Sequence, residues 1–327
     1  MTGKNTFKSF NMARFARKYG TALFGLLAFI YFAMEAPNFF TIDTQLILLR
    51  QMSMLTIVAL GFTFVMAAGG FDMSIGNAAG LINITFGGVL ISTNNLILAI
   101  LAAVAVGLSV GLTNGVLVSY IGLPDFIGTF AVGTITVGLK MMISRGNPTF
   151  FPPATTNPAA LFIGQGRIGG IGLPFPVIIM FVLVIVVFFV MKKTTFGRRI
   201  YAIGGNRVAS QYGGINVKRY RLYTFLLSGL FLSIASVILT SRLGSAQPLA
   251  GEDFTLDTIA AVFLSTTMFG EGEPTPLGTF VGAFIITMLT SGLTMLGMEY
   301  YFQNITKGAV VILSVMVSVL LSSKGRL

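Results

Sequence analysis

The sequence predicts an all-α fold, a polytopic transmembrane bundle of about ten helices, and three observations support this. Hydrophobic residue types make up 54% of the 327 residues, whereas charged types make up only 9%. A soluble globular domain carries roughly 25% charged residues, so this chain lacks the charge needed to cover a water-facing surface. The apolar residues also fall into separate runs of membrane-spanning length, and most basic residues lie between those runs.

A spanning helix needs about 20 mainly apolar residues. The predicted spans are 19–35, 46–68, 73–92, 96–121, 125–144, 175–191, 221–241, 255–270, 276–297 and 303–321. The sixth span is nearly pure Val, Ile, Phe and Leu, so we expect it to face lipid. The fourth, fifth and ninth are richer in Gly, Ser and Thr, so we expect them to face other helices.

The basic residues predict the orientation. Residues 1–18 form a basic tail without acids, and 19–327 form a single transmembrane domain. The segment 192–221 is also basic and free of acids. The basic residues of these two segments and of the C-terminus are Lys4, Lys8, Arg14, Arg17, Lys18, Lys192, Lys193, Arg198, Arg199, Arg207, Lys218, Arg219, Arg221, Lys324 and Arg326. With ten helices they all lie on one side, which the positive-inside rule makes cytoplasmic, with both termini. We expect a multi-pass protein of the bacterial cytoplasmic (inner) membrane.

The composition also excludes several kinds of site. Cys and His are both absent, which removes disulfides, thiolate or imidazole metal ligands and the usual catalytic triads. No metal or cofactor is expected. A net charge of +11 suggests nucleic acid in a soluble protein, but here the charges flank apolar runs. We expect them to contact anionic lipid and expect no nucleic-acid partner.

Two kinds of pattern indicate how the helices pack. Successive GxxxG spacings, at Gly107, Gly111 and Gly115, allow two helix backbones to approach closely. A faint internal similarity pairs the segment that begins at Asp72 with the one that begins at Asp257. This pattern suggests an inverted-topology repeat of predicted helices two to five and seven to ten, as in many transporters. Chance similarity between apolar segments is the alternative.

Two long loops separate the helices. The outer loop, 146–174, is rich in Pro, Gly, Asn and Thr, and it either covers an opening, docks a partner or simply connects. The inner loop, 192–221, contains a candidate short helix, Asn206 to Gln211, for which Gly204-Gly205 would serve as the start signal and Gly213-Gly214 as the stop signal. A rigid helical knob for a cytoplasmic partner and an ordinary loop are the two interpretations.

The inner loop resembles the coupling loop of the ribose-type permeases of bacterial ABC importers. That pattern, T-x-x-G-R-x-x-Y-A-I-G-G-N, matches residues 194–206, and the G-I-N-V that follows it matches 214–217. Four other segments are similar to family landmarks, and with them the resemblance covers nearly the whole chain. They are Val65 to Gly76, Thr113 to Gly133, and the pair Leu256 to Val262 with Gln303 to Ile312.

The resemblance implies a permease subunit that imports a monosaccharide and is not itself an enzyme. Its implied partners are an ABC ATPase subunit, a second permease chain and an extracytoplasmic sugar-binding protein. The residues implied to couple to the ATPase are Gly204, Gly205, Asn206, Arg207, Ala209, Gly214 and Ile215. The sequence has no GxxxxGK[ST] phosphate-binding loop, so ATP hydrolysis would belong to another subunit.

Some segments depart from the family pattern. The stretch Leu264 to Thr279 replaces a Gly-rich segment and introduces Glu271 and Glu273, and Asp125 replaces a proline. These departures leave the solute open, and they also leave open whether the permease pair is a homodimer or a heterodimer.

Polar residues near the predicted spans are candidates for a translocation path. They are Asp72, Asn77, Asn114, Asp125, Thr129 and Gln303. Asp72, Asp125 and Asp257 stand at helix beginnings, where a carboxylate commonly caps the free N–H groups, and capping is the interpretation that we favour for them. The polar side chains within spans serve equally well as interhelical hydrogen bonds.

Three other functions remain as alternatives. A permease of the same architecture that imports a nucleoside or a furanose-like signal molecule is compatible with the same motifs. An ion-driven secondary transporter would need ionisable groups in the middle of its spans, which the sequence does not clearly provide. A membrane enzyme is least favoured, because there is no His, no Cys and no pair of catalytic carboxylates.

Overall fold

The structure, a computed structural model, describes residues 12–152, 157–170, 172–268 and 272–323. The predicted tail residues Lys4 and Lys8, the C-terminal Lys324 and Arg326, and Glu271 lie outside the described residues. The helices are α1 (Met12–Glu35), α2 (Ile42–Ala67), α3 (Ile75–Thr93), α4 (Leu96–Val116), α5 (Asp125–Ser144), α6 (Pro158–Gln165), α7 (Phe175–Lys193), α8 (Thr195–Gly205), α9 (Arg207–Tyr212), α10 (Val217–Leu243), α11 (Phe254–Met268), α12 (Pro276–Met295) and α13 (Tyr300–Ser323).

The protein is an all-α polytopic bundle, as predicted, and each of the ten predicted spans corresponds to a helix. Among the described residues, seven helices are long and apolar enough to cross a membrane: α2, α3, α4 with its π-helical extension to Ile121, α5, α7, α10 and α12. Two shorter apolar helices, Leu23–Glu35 and α11, add to these. The only strands in the described residues are the two-residue strands β1 (Thr149–Phe150), β2 (Arg167–Ile168), β3 (Leu173–Pro174) and β4 (Ser245–Ala246), which pair as β1–β4 and β2–β3.

Contacts between the connections define two ends of the bundle. At one end, which we call the α8–α9 end, α8 meets the α2–α3 connection, and α5 begins beside the start of α10. At the other end, which we call the α6 end, the chain after α5 pairs with the chain after α10 through β1 and β4. The described part of the outer loop 146–174 contains three short strands and one helix.

Helices α2 and α10 form the centre of the bundle. They pack on each other, and 78% and 67% of their apolar windows are buried inside the protein. Gly61 of α2 allows the close approach, because a Cβ at this position would lie 2.8 Å from Cβ of Phe231 on α10. Phe62 and Phe64 of α2 are large buried side chains of this contact region, so the apolar core runs along the pair.

The helix packing follows the exchange expected of an inverted repeat, in which α2–α5 correspond to α10–α13. The pairing of α4 with α10 has its counterpart in α12 with α2, and α3 with α4 corresponds to α11 with α12. Likewise, α3 packs on α5 as α11 packs on α13, and α10 on α3 as α2 on α11. Helices α1 and α7 lie outside this scheme.

Small residues mark the close helix pairs, as the spacing predicted. A Cβ on Gly107 would lie 1.9 Å from the Ser233 hydroxyl, and one on Gly111 would lie 2.4 Å from the Phe225 carbonyl oxygen, both on α10. The Ser233 hydroxyl also donates to the Ala103 carbonyl, which ties α10 to α4.

The expectation that α4 and α5 face other helices holds for one face of each helix. Only 28% of the α4 window and 33% of the α5 window are buried inside this chain, and Gly107 and Gly133 lie on the buried faces. The expectation holds for α12, of which 61% is buried. Helix α7 buries a narrow stripe and exposes Phe181, Ile185 and Phe189, as expected for a lipid-facing helix.

Candidate functional site

The inner loop folds into two consecutive helices, α8 and α9, rather than into a loop with one short helix. Thr194 begins α8 by accepting a hydrogen bond from the Gly197 N–H at 3.3 Å. The first helix buries Gly197, Ile200 and Ile203, three residues apart, against the bundle. The sequence carries a signal for α8, an N-cap residue followed by regular apolar spacing, but the prediction for this loop did not include this helix.

Asn206 separates the two helices and begins the second. Its backbone is extended, its N–H donates to the Ala202 carbonyl at the end of α8, and its side chain accepts from the Ala209 N–H at 2.9 Å. Gly204 and Gly205 are therefore the last residues of α8, so their predicted role as the start signal was wrong. Gly213 and Gly214 do end α9, and Gly214 has the left-handed φ of +80° that favours glycine.

After α9 the chain turns back into the bundle. The Ile215 N–H donates to the Ser210 carbonyl at 3.0 Å, and Asn216 caps α10 by accepting from the Arg219 N–H. Hydrogen bonds therefore fix both ends of the short α9, which makes it a rigid element on a defined base.

Two contacts fasten this element to the connection between α2 and α3. The guanidinium of Arg207 donates to the Gly69 carbonyl, and Gly204 lies against the last turn of α2. A Cβ on Gly204 would lie 2.1 Å from the Ala67 carbonyl oxygen, so only glycine permits this approach. Burial and then the nearby charge of Arg221 lower the pKa of Arg207 from its ordinary value.

A third contact fastens α8 to the connection between α11 and α12. The Tyr201 hydroxyl donates to the Pro274 carbonyl at 2.8 Å. Burial, together with the carboxylate of Glu273, raises the pKa of Tyr201, so the phenol stays protonated and can donate. One element therefore contacts connections from both halves of the repeat.

The outer surface of α9 is apolar at one position per turn. Val208 is 63% exposed and Tyr212, four residues later on the same helical face, is 90% exposed. These two residues were not among the predicted site residues, although an apolar pair at this spacing inside a polar loop is a signal that could have identified them. An exposed apolar pair of this kind offers a surface for another protein.

Beneath this element, a buried polar network joins α3, α4 and α10 around Asp72. The Ser74 N–H and hydroxyl donate to one oxygen of Asp72 at 2.9 and 2.7 Å. The Asn114 side chain donates to the same oxygen at 3.3 Å, and the Ser228 hydroxyl donates to the other oxygen at 3.3 Å. Asp72 therefore bridges three elements, and Ser74, not Asp72, occupies the N-cap position of α3.

A second carboxylate lies beside it. Asp125 forms an ion pair with Arg221 of α10 and accepts from the Phe71 N–H at 3.1 Å. The neighbouring Thr129 hydroxyl accepts from the Met73 N–H at 2.9 Å. The N-cap position of α5 belongs to Pro124, so the capping interpretation was wrong for Asp125 as well.

The third carboxylate, Asp257, also has another role than capping. It pairs with Lys307 of α13 at 2.9 Å and so links α11 to α13. In the repeat, these two helices correspond to α3 and α5. Of the remaining path candidates, Asn77 lies on α3 beside Gly133 of α5, whereas Gln303 lies apart, at the start of α13. The Gln303 amide donates to the Met298 carbonyl at 3.3 Å.

The structure thus brings five of the six path candidates together and leaves Gln303 separate. Asp72, Asn77, Asn114, Asp125 and Thr129 all lie at the α8–α9 end. Pairing with arginine and hydrogen bonds to backbone explain why this end tolerates two carboxylates near apolar spans.

Comparison with known proteins places this arrangement in a family. A family described as "Branched-chain amino acid transport system / permease component" matches residues 45–319. The ribose import permease of Escherichia coli strain K12 is 36% identical over 298 residues, covering 90% of this chain and 91% of that protein. The ribose import permease of Haemophilus influenzae is 33% identical over 98% of this chain and 99% of its own length. The D-allose transport system permease of E. coli is 31% identical over 96% of this chain and 95% of its own. The chain is a membrane protein and belongs to this family of transport-system permease components.

Proposed function

We propose that this chain is the membrane-spanning subunit of an ATP-driven importer of a monosaccharide, with α9 as its contact to a cytoplasmic ABC ATPase. The observation that carries the proposal is the exposed, doubly capped α9, fastened through Arg207 and Tyr201 to two interhelical connections. The relatives named for ribose and allose import support a sugar as the solute. Basic residues around α8 and α9 support the placement of this end, with both termini, on the cytoplasmic side of the inner membrane.

The transmission of motion follows from these contacts. A displacement of α9 by the ATPase moves Gly69 through the Arg207 hydrogen bond and Pro274 through the Tyr201 hydrogen bond. The connection at Gly69 continues into Asp72, whose hydrogen bonds reach α4 and α10. Movement at the ATPase contact therefore shifts several spans together, which fits alternating access by rigid-body rocking.

The five polar residues at the α8–α9 end form the cytoplasmic boundary of the translocation path in this proposal. Asp125 and Arg221 hold α5 against α10, and Asp72 and Asn114 hold α3 against α4. Breaking these contacts would open a polar route on the cytoplasmic side. Gln303, at the start of α13 and at the opposite end of the bundle, belongs to the external boundary.

A second permease chain completes the path. The outer flank of α5 carries Thr134 and Gly138, and a Cβ at Gly138 would meet no atom of this chain. Small residues on an otherwise exposed span favour close packing with another helix over contact with lipid. An extracytoplasmic binding protein delivers the sugar at the α6 end. Two alternatives remain for the tests below. The cargo is a nucleoside or a furanose-like signal molecule, or transport is driven by an ion gradient.

The first test measures what the tagged chain brings with it from its native membrane. We expect an ABC ATPase to co-purify with the unaltered chain, and expect Val208→Asp and Tyr212→Asp to lower its recovery several-fold. Tyr301→Asp, which changes a tyrosine that is 53% exposed at the opposite end, is the matched control and keeps full recovery. Recovery of the chain alone, with uptake that responds to an ion gradient and not to ATP, would contradict the proposal.

The second test identifies the cargo. Proteoliposomes that contain the purified complex are supplied with labelled ribose, allose, xylose or a nucleoside, together with the binding protein. Uptake of one sugar that requires ATP supports the proposed solute class. Uptake of the nucleoside alone would assign the other cargo.

A further inference from the structure

The connection between α10 and α11, residues 244–253, runs along α3 instead of crossing the end of the bundle, and we call it the re-entrant segment. Near its start, a Cβ on Gly87 of α3 would lie 2.4 Å from Cβ of Ala246. Near its end, a Cβ on Gly76 would lie 2.4 Å from the carbonyl oxygen of Glu252. The two glycines are 11 residues apart, so the segment extends roughly 16 Å along a helix that rises about 1.5 Å per residue.

Hydrogen bonds hold the re-entrant segment at this depth. The Asn83 amide of α3 donates to the Ala250 carbonyl at 2.8 Å, and the Asn83 oxygen accepts from the Thr240 hydroxyl of α10 at 2.7 Å. Asn83 lies near the middle of α3, so the segment places non-helical backbone at the middle of a span. Such backbone is tolerated within a membrane only where protein buries it or where it lines a water-filled cavity.

One face of the re-entrant segment is open. Leu249 is 57% exposed, the side chain of Glu252 is 45% exposed, and Asp253 is exposed as well. Ionised side chains at the depth of the spans are costly against hydrocarbon and normally face a bundle interior or a water-filled cavity. We therefore infer that the solvent of this face is water and not lipid.

The two carboxylates of this face are positioned by other helices. Lys140 of α5 is fully buried and pairs with one oxygen of Glu252 at 2.7 Å. The Tyr300 hydroxyl, at the start of α13, donates to one oxygen of Asp253 at 2.9 Å. The described residues donate no hydrogen bond to the second oxygen of either carboxylate. Each carboxylate is thus held in place and keeps an oxygen that can accept a hydrogen bond from a hydroxyl group.

We propose that the re-entrant segment lines the water-filled route of the solute, with Glu252 and Asp253 as acceptors for the hydroxyl groups of a neutral sugar. This inference rests on the proposed function, from which it takes the sugar, and it adds a lining segment between the cytoplasmic and external boundaries. Few contacts of this kind suit a route, because the solute must leave a site as readily as it enters.

The test uses single cysteines, because the chain itself contains none. The full complex in lipid nanodiscs is treated with a membrane-impermeant trimethylammonium-ethyl methanethiosulfonate, and the rate of thiol modification of this chain is measured. We expect Leu249→Cys and Asp253→Cys to react at least about tenfold faster than Ile185→Cys, since both the thiolate and the charged reagent need water. Ile185 is the matched control, because it is 55% exposed on the lipid-facing α7.

Uptake measurements then test whether the water-filled face is the route of the sugar. We expect modification of Leu249→Cys to lower ATP-driven uptake by proteoliposomes several-fold and dithiothreitol to restore it, while Ile185→Cys keeps its uptake after the same treatment. Asp253→Asn retains an oxygen for the Tyr300 hydroxyl, so we expect it to lower uptake several-fold without lowering the thermal midpoint of unfolding.

The outcomes separate this inference from the proposed function. Equal rates of modification at the three positions would overturn the water-filled face, and full uptake by modified Leu249→Cys would overturn the route. Full uptake by Asp253→Asn would overturn the acceptor role of that carboxylate. Absence of ATP-driven uptake by the unaltered chain would instead overturn the proposed function, and the rates of modification would still decide whether the re-entrant segment faces water.

Discussion

Two adjacent glycines at the end of α8 provide a sharp test of how α9 is connected to the bundle. Gly204 and Gly205 have the same helical setting and are both exposed to solvent. They differ in what a side chain would meet: a Cβ on Gly204 would lie 2.1 Å from the Ala67 carbonyl oxygen, whereas a Cβ on Gly205 would meet nothing within 4 Å. The substitutions Gly204→Ala and Gly205→Ala therefore add the same methyl group to different surroundings.

The structure sets the size of the difference. Cβ contacts under 3.0 Å are essentially not observed, so α8 must move away from Ala67 by roughly 0.9 Å, the difference between 3.0 and 2.1 Å. The atom that it meets belongs to the backbone and has no rotamer with which to yield. Overpacking of this kind costs about 1–3 kcal/mol, and the shift also lengthens the hydrogen bond between Arg207 and the Gly69 carbonyl. Gly205→Ala is expected to change stability by less than about 1 kcal/mol, and in the favourable direction, because alanine prefers a helix.

The assay is ATP-driven uptake of the transported sugar by proteoliposomes, together with the ATP hydrolysis that accompanies it. For Gly204→Ala we expect uptake to fall about tenfold, the equivalent of 1.4 kcal/mol, while basal hydrolysis by the ATPase continues. Gly205→Ala should match the unaltered protein in both measurements. If both variants transport sugar equally well, the contact between α8 and Ala67 does not transmit motion, and the proposed connection is wrong.

Two further predictions concern contacts inside the bundle. Asp125→Asn leaves the buried Arg221 without its counter-ion, so we expect the free energy of unfolding in detergent to fall by about 2–4 kcal/mol. Arg219→Gln on the same helix is the control and should leave this free energy unchanged. An equally stable Asp125→Asn protein would return Asp125 to a capping role. Gly107→Ala places a methyl group 1.9 Å from the Ser233 hydroxyl and should lower the thermal midpoint of unfolding by several degrees. Gly88→Ala is the control, because its methyl group enters open space and should leave the midpoint unchanged. Equal midpoints would show that α4 and α10 can separate without cost.

The spans were predictable because a membrane makes hydropathy the dominant signal. A run of about 20 apolar residues has few alternatives to a spanning helix. The location of Gly107 and Gly111 at a close helix contact was predictable from their spacing alone. Helix α8 is only 11 residues long and carries basic residues, so it gives no hydropathy signal, and its Gly-Gly end reads as a turn. The α6 helix in the outer loop was missed because it has only eight residues, too few for a span, although they are mainly apolar.

The polar residues show a different limit. The sequence located Asp72, Asp125 and Asp257 at helix beginnings, where capping is the common role. Their actual partners, Asn114, Arg221 and Lys307, are 42, 96 and 50 residues away along the chain. A local pattern shows which group will need a partner, but only the packing of distant helices decides which partner it finds.

Under the proposed function, the placement of α9 would let one small contact act on a whole bundle of spans. In a repeat of two halves, a push on one half alone would shear the central pair α2 and α10, whose packing buries the apolar core. The element formed by α8 and α9 avoids this, because it contacts the first half at Gly69 and the second half at Pro274. It also continues directly into α10 through the Asn216 cap. A force on Val208 and Tyr212 is therefore distributed to both halves at once, and the bundle can tilt while its central packing stays intact.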